Sequence, residues 1–167
     1  AARGQSYLGR MHALYALAGL ELLKPDHLIT ALGDDHPALR EHALKLAEPF
    51  LADDPHGKLQ KFVLALSRDV SPRVRFQLAL TLGLAQLHGE LPALLELFEA
   101  DGKDPWMRAA VLNALSSQAN AVFASYASSP RPVDALSVVA LAAALRQGGN
   151  ALDGIHKHQM AYLRNLA

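Results

Sequence analysis

Residues 69–83 read DVSPRVRFQLALTLG, and this stretch decides the fold because its pattern recurs on both sides of it at nearly constant spacing. Ser71 offers a hydroxyl that accepts from free N–H groups, and the missing N–H of Pro72 costs nothing in a first helical turn, so a helix is predicted to start here. From there Val74, Leu78 and Leu82, with Ala79 beside them, follow the three- and four-residue spacing of a helix that buries one broad stripe.

Superposing the arginine that follows each such start exposes a repeat. Arg10, Arg40, Arg75 and Arg108 stand 30, 35 and 33 residues apart, inside the window of helical solenoids. The positions one before and three, four and seven after the arginine hold Leu39, Ala43, Leu44 and Ala47, then Val74, Leu78, Ala79 and Leu82, then Met107, Val111, Leu112 and Leu115. In the first repeat they hold Gly9, Ala13, Leu14 and Leu17. All but Gly9 are apolar and share one side of a helix, which is predicted to be buried. Asp34-Asp35-His36-Pro37, Asp69-Val70-Ser71-Pro72 and Asp101-Gly102-Lys103-Asp104-Pro105 punctuate the helix starts, and shorter amphipathic segments at 26–32, 56–67 and 91–100 lie between. Each repeat is therefore a helical hairpin. The predicted architecture is all-α, a right-handed superhelix of about four to five hairpins in one domain spanning 1–167. The repeats fall near 1–23, 24–52, 53–88, 89–118 and 119–149, and 150–167 forms a capping helix. The start at Ala1, without an initiator Met, reads as a segment of a longer protein.

These residues resemble HEAT repeats, paired helices joined by an Asp…Pro-x-apolar-Arg turn. Asp69, Pro72, Val74 and Arg75 match that turn, as do Asp34, Pro37, Leu39 and Arg40, and the resemblance spans Leu8 to Leu115. More narrowly, VRFQLALTLG (74–83), REHALKLAEP (40–49) and DPWMRAAVLNAL (104–115) resemble the HEAT-bearing segment of planctomycete-type membrane-bound dehydrogenase and haem-binding proteins. That resemblance implies an array lying between a sugar-dehydrogenase-like propeller and a c-type cytochrome domain, in an exported or periplasmic redox protein. The implied partner is a protein segment or the flanking domains of the same chain.

Composition excludes several other functions. Sixteen basic and sixteen acidic residues cancel, so there is no overall positive field to hold nucleic acid or an anionic membrane. No apolar run reaches the roughly 18 residues that span a bilayer. Without cysteine the chain forms neither a disulfide nor the haem attachment motif C-x-x-C-H, while its compartment stays open. G-x-S-x-G, H-E-x-x-H and a phosphate loop are all missing, so no catalytic residue and no cofactor is expected. HEAT-like DNA alkylation-repair glycosylases and bilin lyases are the enzymatic alternatives. The first needs an inward excess of Lys and Arg that is not found here.

Two constellations remain as candidate sites. Asp34, Arg40, Asp69, Arg75, Asp104 and Arg108 form a predicted ladder in which each arginine donates to turn carbonyls and to the aspartate of its own or the neighbouring repeat. Opposite the buried stripe, positions two and five after the arginine are predicted to face outward as a binding strip on a concave surface. They hold His12, Tyr15, His42, Lys45, Gln77, Leu80 and Asn113, with Ala110 completing the set. His12 and His42 occupy equivalent places, but Gln77 and Ala110 continue the series, so no metal site is expected. The remaining histidines read as surface residues and Asp53-Asp54 as a capping turn. Trp106 reads as a turn-packing residue, with a partner contact as its alternative.

Overall fold

The computed structural model describes residues 6–54, 57–85, 87 and 89–115. The chain divides into two compact units, Ala1–Val111 and Leu112–Ala167, and the second is described only over 112–115. The predicted hairpin near 119–149 and the capping helix 150–167 lie outside the described residues. Among the described residues there are seven α-helices, one 3-10 turn and no strand. The helices are α1 (Tyr7–Gly19), α2 (Pro25–Leu32), α3 (Pro37–Leu51), α4 (Lys58–Ala65), α5 (Pro72–Ala85), α6 (Leu91–Asp101) and α7 (Pro105–Leu115). The 3-10 turn, Leu66–Arg68, continues directly from α4.

Proline sets most of the starts. Pro25, Pro37, Pro72 and Pro105 are the first residues of α2, α3, α5 and α7, where the lost N–H has no intrahelical partner in any case. Instead of beginning at 56, α4 begins at Lys58, because Gly57 takes a left-handed conformation (φ +59) and turns the chain into the helix. Asp54 then accepts from the N–H groups of Lys58 and Gln60 at 3.1 and 2.9 Å, so the Asp53-Asp54 turn caps through its second member.

Within the first unit the elements stack as two rows. In the inner row α1 packs on α3 and α3 on α5; in the outer row α2 packs on α4, and the 3-10 turn packs on α6. The rows meet where α2 and α4 lie on α3 and where α6 lies on α5. Leu28, Leu44, Leu51, Val63, Leu78, Leu82, Leu94 and Leu97 are completely buried there, each such side chain contributing about 1.5–3 kcal/mol by leaving water. The predicted stripe is buried throughout α3 and α5. In α1 only Leu14 is buried, and Gly9 and Ala13 are exposed, because this end helix lacks a second inner neighbour among the described residues. Leu112 is only partly buried. The first unit is an all-α solenoid of stacked helical hairpins.

Candidate functional site

The starts of α1, α3 and α5 each clasp the turn that follows in the next repeat. Arg10 donates through Nε and Nη2 to the two carboxylate oxygens of Asp34, both at 2.8 Å. Arg40 grips Asp69 in the same way at 2.7 Å, and Arg75 grips Asp101 at 2.6 and 2.8 Å. The planar fork of the guanidinium matches the carboxylate in a way an ammonium cannot. The remaining nitrogen turns back on its own repeat: Nη1 of Arg40 donates to the carbonyls of Asp34 (2.7 Å) and Asp35 (3.2 Å), and that of Arg75 to the carbonyl of Asp69. Arg40 and Arg75 thus each fasten two successive turns.

The aspartates are themselves shared. Asp34 Oδ1 accepts the N–H of His36 at 2.9 Å, and Asp69 Oδ1 that of Ser71 at 2.8 Å, so one carboxylate both shapes its turn and closes a rung. Burial pushes the Asp69 carboxyl up. The hydrogen bonds from Arg40 and the Ser71 N–H, with the charges of Arg40 and Arg75, outweigh that and leave it below the usual carboxylate range. Asp34 is held low by the same balance, with Arg10 and His36 supplying the opposing contributions. The middle rung is the driest, its Arg40 and Asp69 side chains being 11% and 5% exposed.

Two predicted ladder members stand elsewhere. Asp104 closes no rung; its Oδ1 accepts the N–H groups of Trp106 and Met107 at 2.9 Å and caps α7. In the first two turns one aspartate, three residues before the proline, closes the rung and accepts the N–H of the residue before the proline. The third turn is a residue longer: Asp101 at the end of α6 keeps the rung, and Asp104, next to Pro105, caps α7. Arg108 is exposed, and the turn after its helix lies outside the described residues.

The predicted strip is drawn together only in part. The Tyr15 hydroxyl lies 2.7 Å from His42 Nδ1, with the rings edge to face at 5.6 Å, joining α1 to α3. His12, Lys45 and Asn113 are exposed, and Leu80 is 40% exposed. Lys45 reaches Glu41 one turn back at 3.2 Å. Gln77 does not face outward. It is 7% exposed and donates to Thr81 Oγ1 at 3.3 Å, while Thr81 donates to Glu48 of α3 at 2.9 Å. Because α5 packs on α3, its side chains at this position fall into the seam between the two helices. Ala110, at the equivalent place on α7, is buried as well.

Several working side chains were not singled out by the sequence. His36 Nδ1 accepts the Ala38 N–H at 3.3 Å, and its ring stacks on Tyr7 at 3.5 Å, so it caps α3 where a bare surface residue was expected. His27 likewise accepts the Lys24 N–H at 3.2 Å. In the outer row, Glu96 of α6 accepts from Ser67 at 2.6 Å and from Arg68, and these hydrogen bonds, that of Arg68 foremost, hold its carboxyl low. The signal that finds such pairs is a basic or hydroxyl residue one repeat length before an acid; Ser67 and Glu96 are 29 apart. Trp106 does not pack into its turn, for it is 74% exposed. Among the described residues no three His, Asp or Glu side chains gather where they could hold a metal, and no helix is long and apolar enough to cross a membrane.

Stacked hairpins joined turn to turn by arginine define an α-solenoid repeat protein. A family profile described as HEAT repeats matches residues 25–116, more than half of the 167, and the chain belongs to the HEAT-repeat family. No curated protein and no solved structure matches the chain.

Proposed function

We propose that the chain is a non-catalytic scaffold that binds another protein segment, or the domains that flank it, along its inner row of helices. HEAT repeats generally mediate protein–protein interaction or scaffolding, which supports the coarse reading. The observation that carries the finer one is the paired Tyr15 and His42 side chains bridging α1 and α3, with the exposed Leu80 further along on α5. A stacked array presents such side chains along a continuous concave face. Exposed aromatic and apolar groups suit a protein partner, whereas a phosphate backbone calls for unpaired cations. Lys45 on this strip is paired with Glu41, and Arg10, Arg40 and Arg75 are spent on turns. Neither a DNA glycosylase nor a bilin lyase gains support from these features.

Tyr15→Glu with Leu80→Glu tests this reading. Screened against displayed protein segments, the unaltered chain should select binders that the charged variant loses while its helical circular dichroism is unchanged. Binders that survive in that variant, but vanish when Phe62 on the outer row is changed to Glu, place the interface on the opposite side. From the resemblance carried by 40–49, 74–83 and 104–115, we further propose a place between the catalytic and cytochrome domains of an exported dehydrogenase. Propeller blades or C-x-x-C-H in the flanking reading frame support that context, and flanks of another kind remove it.

A further inference from the structure

One pair of repeat-equivalent positions on the inner row changes from charged to aromatic. Glu41, one residue after its ladder arginine, meets Arg73, two residues before the next, at 3.1 Å, so an ion pair bridges α3 and α5. One repeat further on, the same two positions hold Phe76 and Trp106. There an open groove of about 500 Å³ lies between α5 and α7, lined by Pro72, Arg73, Phe76, Asp101, Asp104, Trp106 and Met107. Met107 is buried, while the indole of Trp106 stands largely in solvent and is not stacked on Phe76. The volume suits one or two side chains, and an exposed tryptophan beside an apolar recess is the residue type that most often anchors a protein contact.

The charges give the groove a direction. Arg73, the cation of that wall, is paired with Glu41, which Lys45 also reaches. At the other end Asp101 is taken by Arg75, but Asp104 meets only the backbone N–H groups of α7 through Oδ1, and no cation reaches its carboxylate among the described residues. A carboxylate and an exposed indole lining the same groove attract a cation both by charge and through the ring quadrupole.

We propose that this groove docks an extended protein segment that places an apolar side chain between Phe76 and Met107 and a lysine or arginine over Trp106, against Asp104. The proposal rests on the protein-binding reading above and adds the chemistry of the partner.

Trp106 is the only tryptophan in the chain, so its emission reports on the groove directly. The probes are a capped short peptide of leucine, lysine and alanine and its counterparts with norleucine or glutamate in place of lysine. The lysine peptide is expected to shift the Trp106 emission to the blue in a saturable way. The norleucine peptide should bind roughly fivefold more weakly, the size of an exposed charge contact, and the glutamate peptide more weakly still. Asp104→Asn retains the oxygen that caps α7 and should abolish the preference for lysine over norleucine. Trp106→Ala should lose binding as read by anisotropy of a labelled peptide; if that variant does not fold, the Asp104→Asn comparison decides. Equal affinity for the lysine and norleucine peptides, a lysine preference that survives Asp104→Asn, or an emission that never responds overturns the proposal. A segment that binds through Tyr15 and Leu80 without moving the Trp106 emission overturns this groove and leaves the scaffold reading standing.

Discussion

Arg40 shows how much one side chain is asked to do. It donates to both oxygens of Asp69 and to two turn carbonyls, and it does so where neither member of the ion pair meets much water. Replacing such a pair by apolar residues of similar size is often neutral, but removing one member strands a buried charge. Arg40→Ala should therefore cost about 3–5 kcal/mol of unfolding free energy at pH 7 in chemical denaturation. The pH dependence identifies the cause. The folded-state value of Asp69 lies below that of the unfolded chain, so the folded state binds fewer protons. The stability this provides is fully present above about pH 4 and fades as the pH falls through the folded value. In Arg40→Ala the stranded carboxylate loses the partner that held it low and is protonated at higher pH than in the parent protein, so the gap between the two should close in acid. A gap that stays constant down to pH 3 would mean that packing, and not the rung, sets the cost.

At the scale of the helix, the arginine frame and its apolar stripe were legible from the sequence, because three- and four-residue spacing and an N-terminal proline are local properties. Leu78 illustrates the gain: it was placed in the core from its phase alone and is fully buried in α5. Leu78→Ala should lose about 2–5 kcal/mol in denaturant unfolding, the range for large-to-small changes in a packed core. A loss near zero would show that the inner row is misphased. What the sequence concealed depends on neighbours. Gln77 shares its helical position with His42, yet it lies in a seam because α5 packs against α3 where Glu48 and Thr81 meet. The sequence puts the rung at Asp104, but one additional residue in the third turn leaves it at Asp101 and sets Asp104 beside Pro105, where it caps α7. Trp106 was misplaced for a related reason, since exposure is decided by what the adjacent repeat supplies.

Across the first unit, long-range polar contacts keep to one distance in sequence. The three rungs span 24, 29 and 26 residues, the Thr81–Glu48 bond 33 and the Arg68–Glu96 pair 28, each about one repeat. None of them skips a neighbour, which is the nearest-neighbour coupling of solenoids stated side chain by side chain. The membership of the array was therefore readable in the chain, while the identity of its partner was not, because partner chemistry resides in the few exposed positions where repeats differ. The clasps also carry a mechanical consequence. Every bidentate grip joins one turn to the next along a single edge, so a load applied along the stack is borne in series. The array should then behave less like a rod than like a row of press-studs, parting at its wettest rung before its driest.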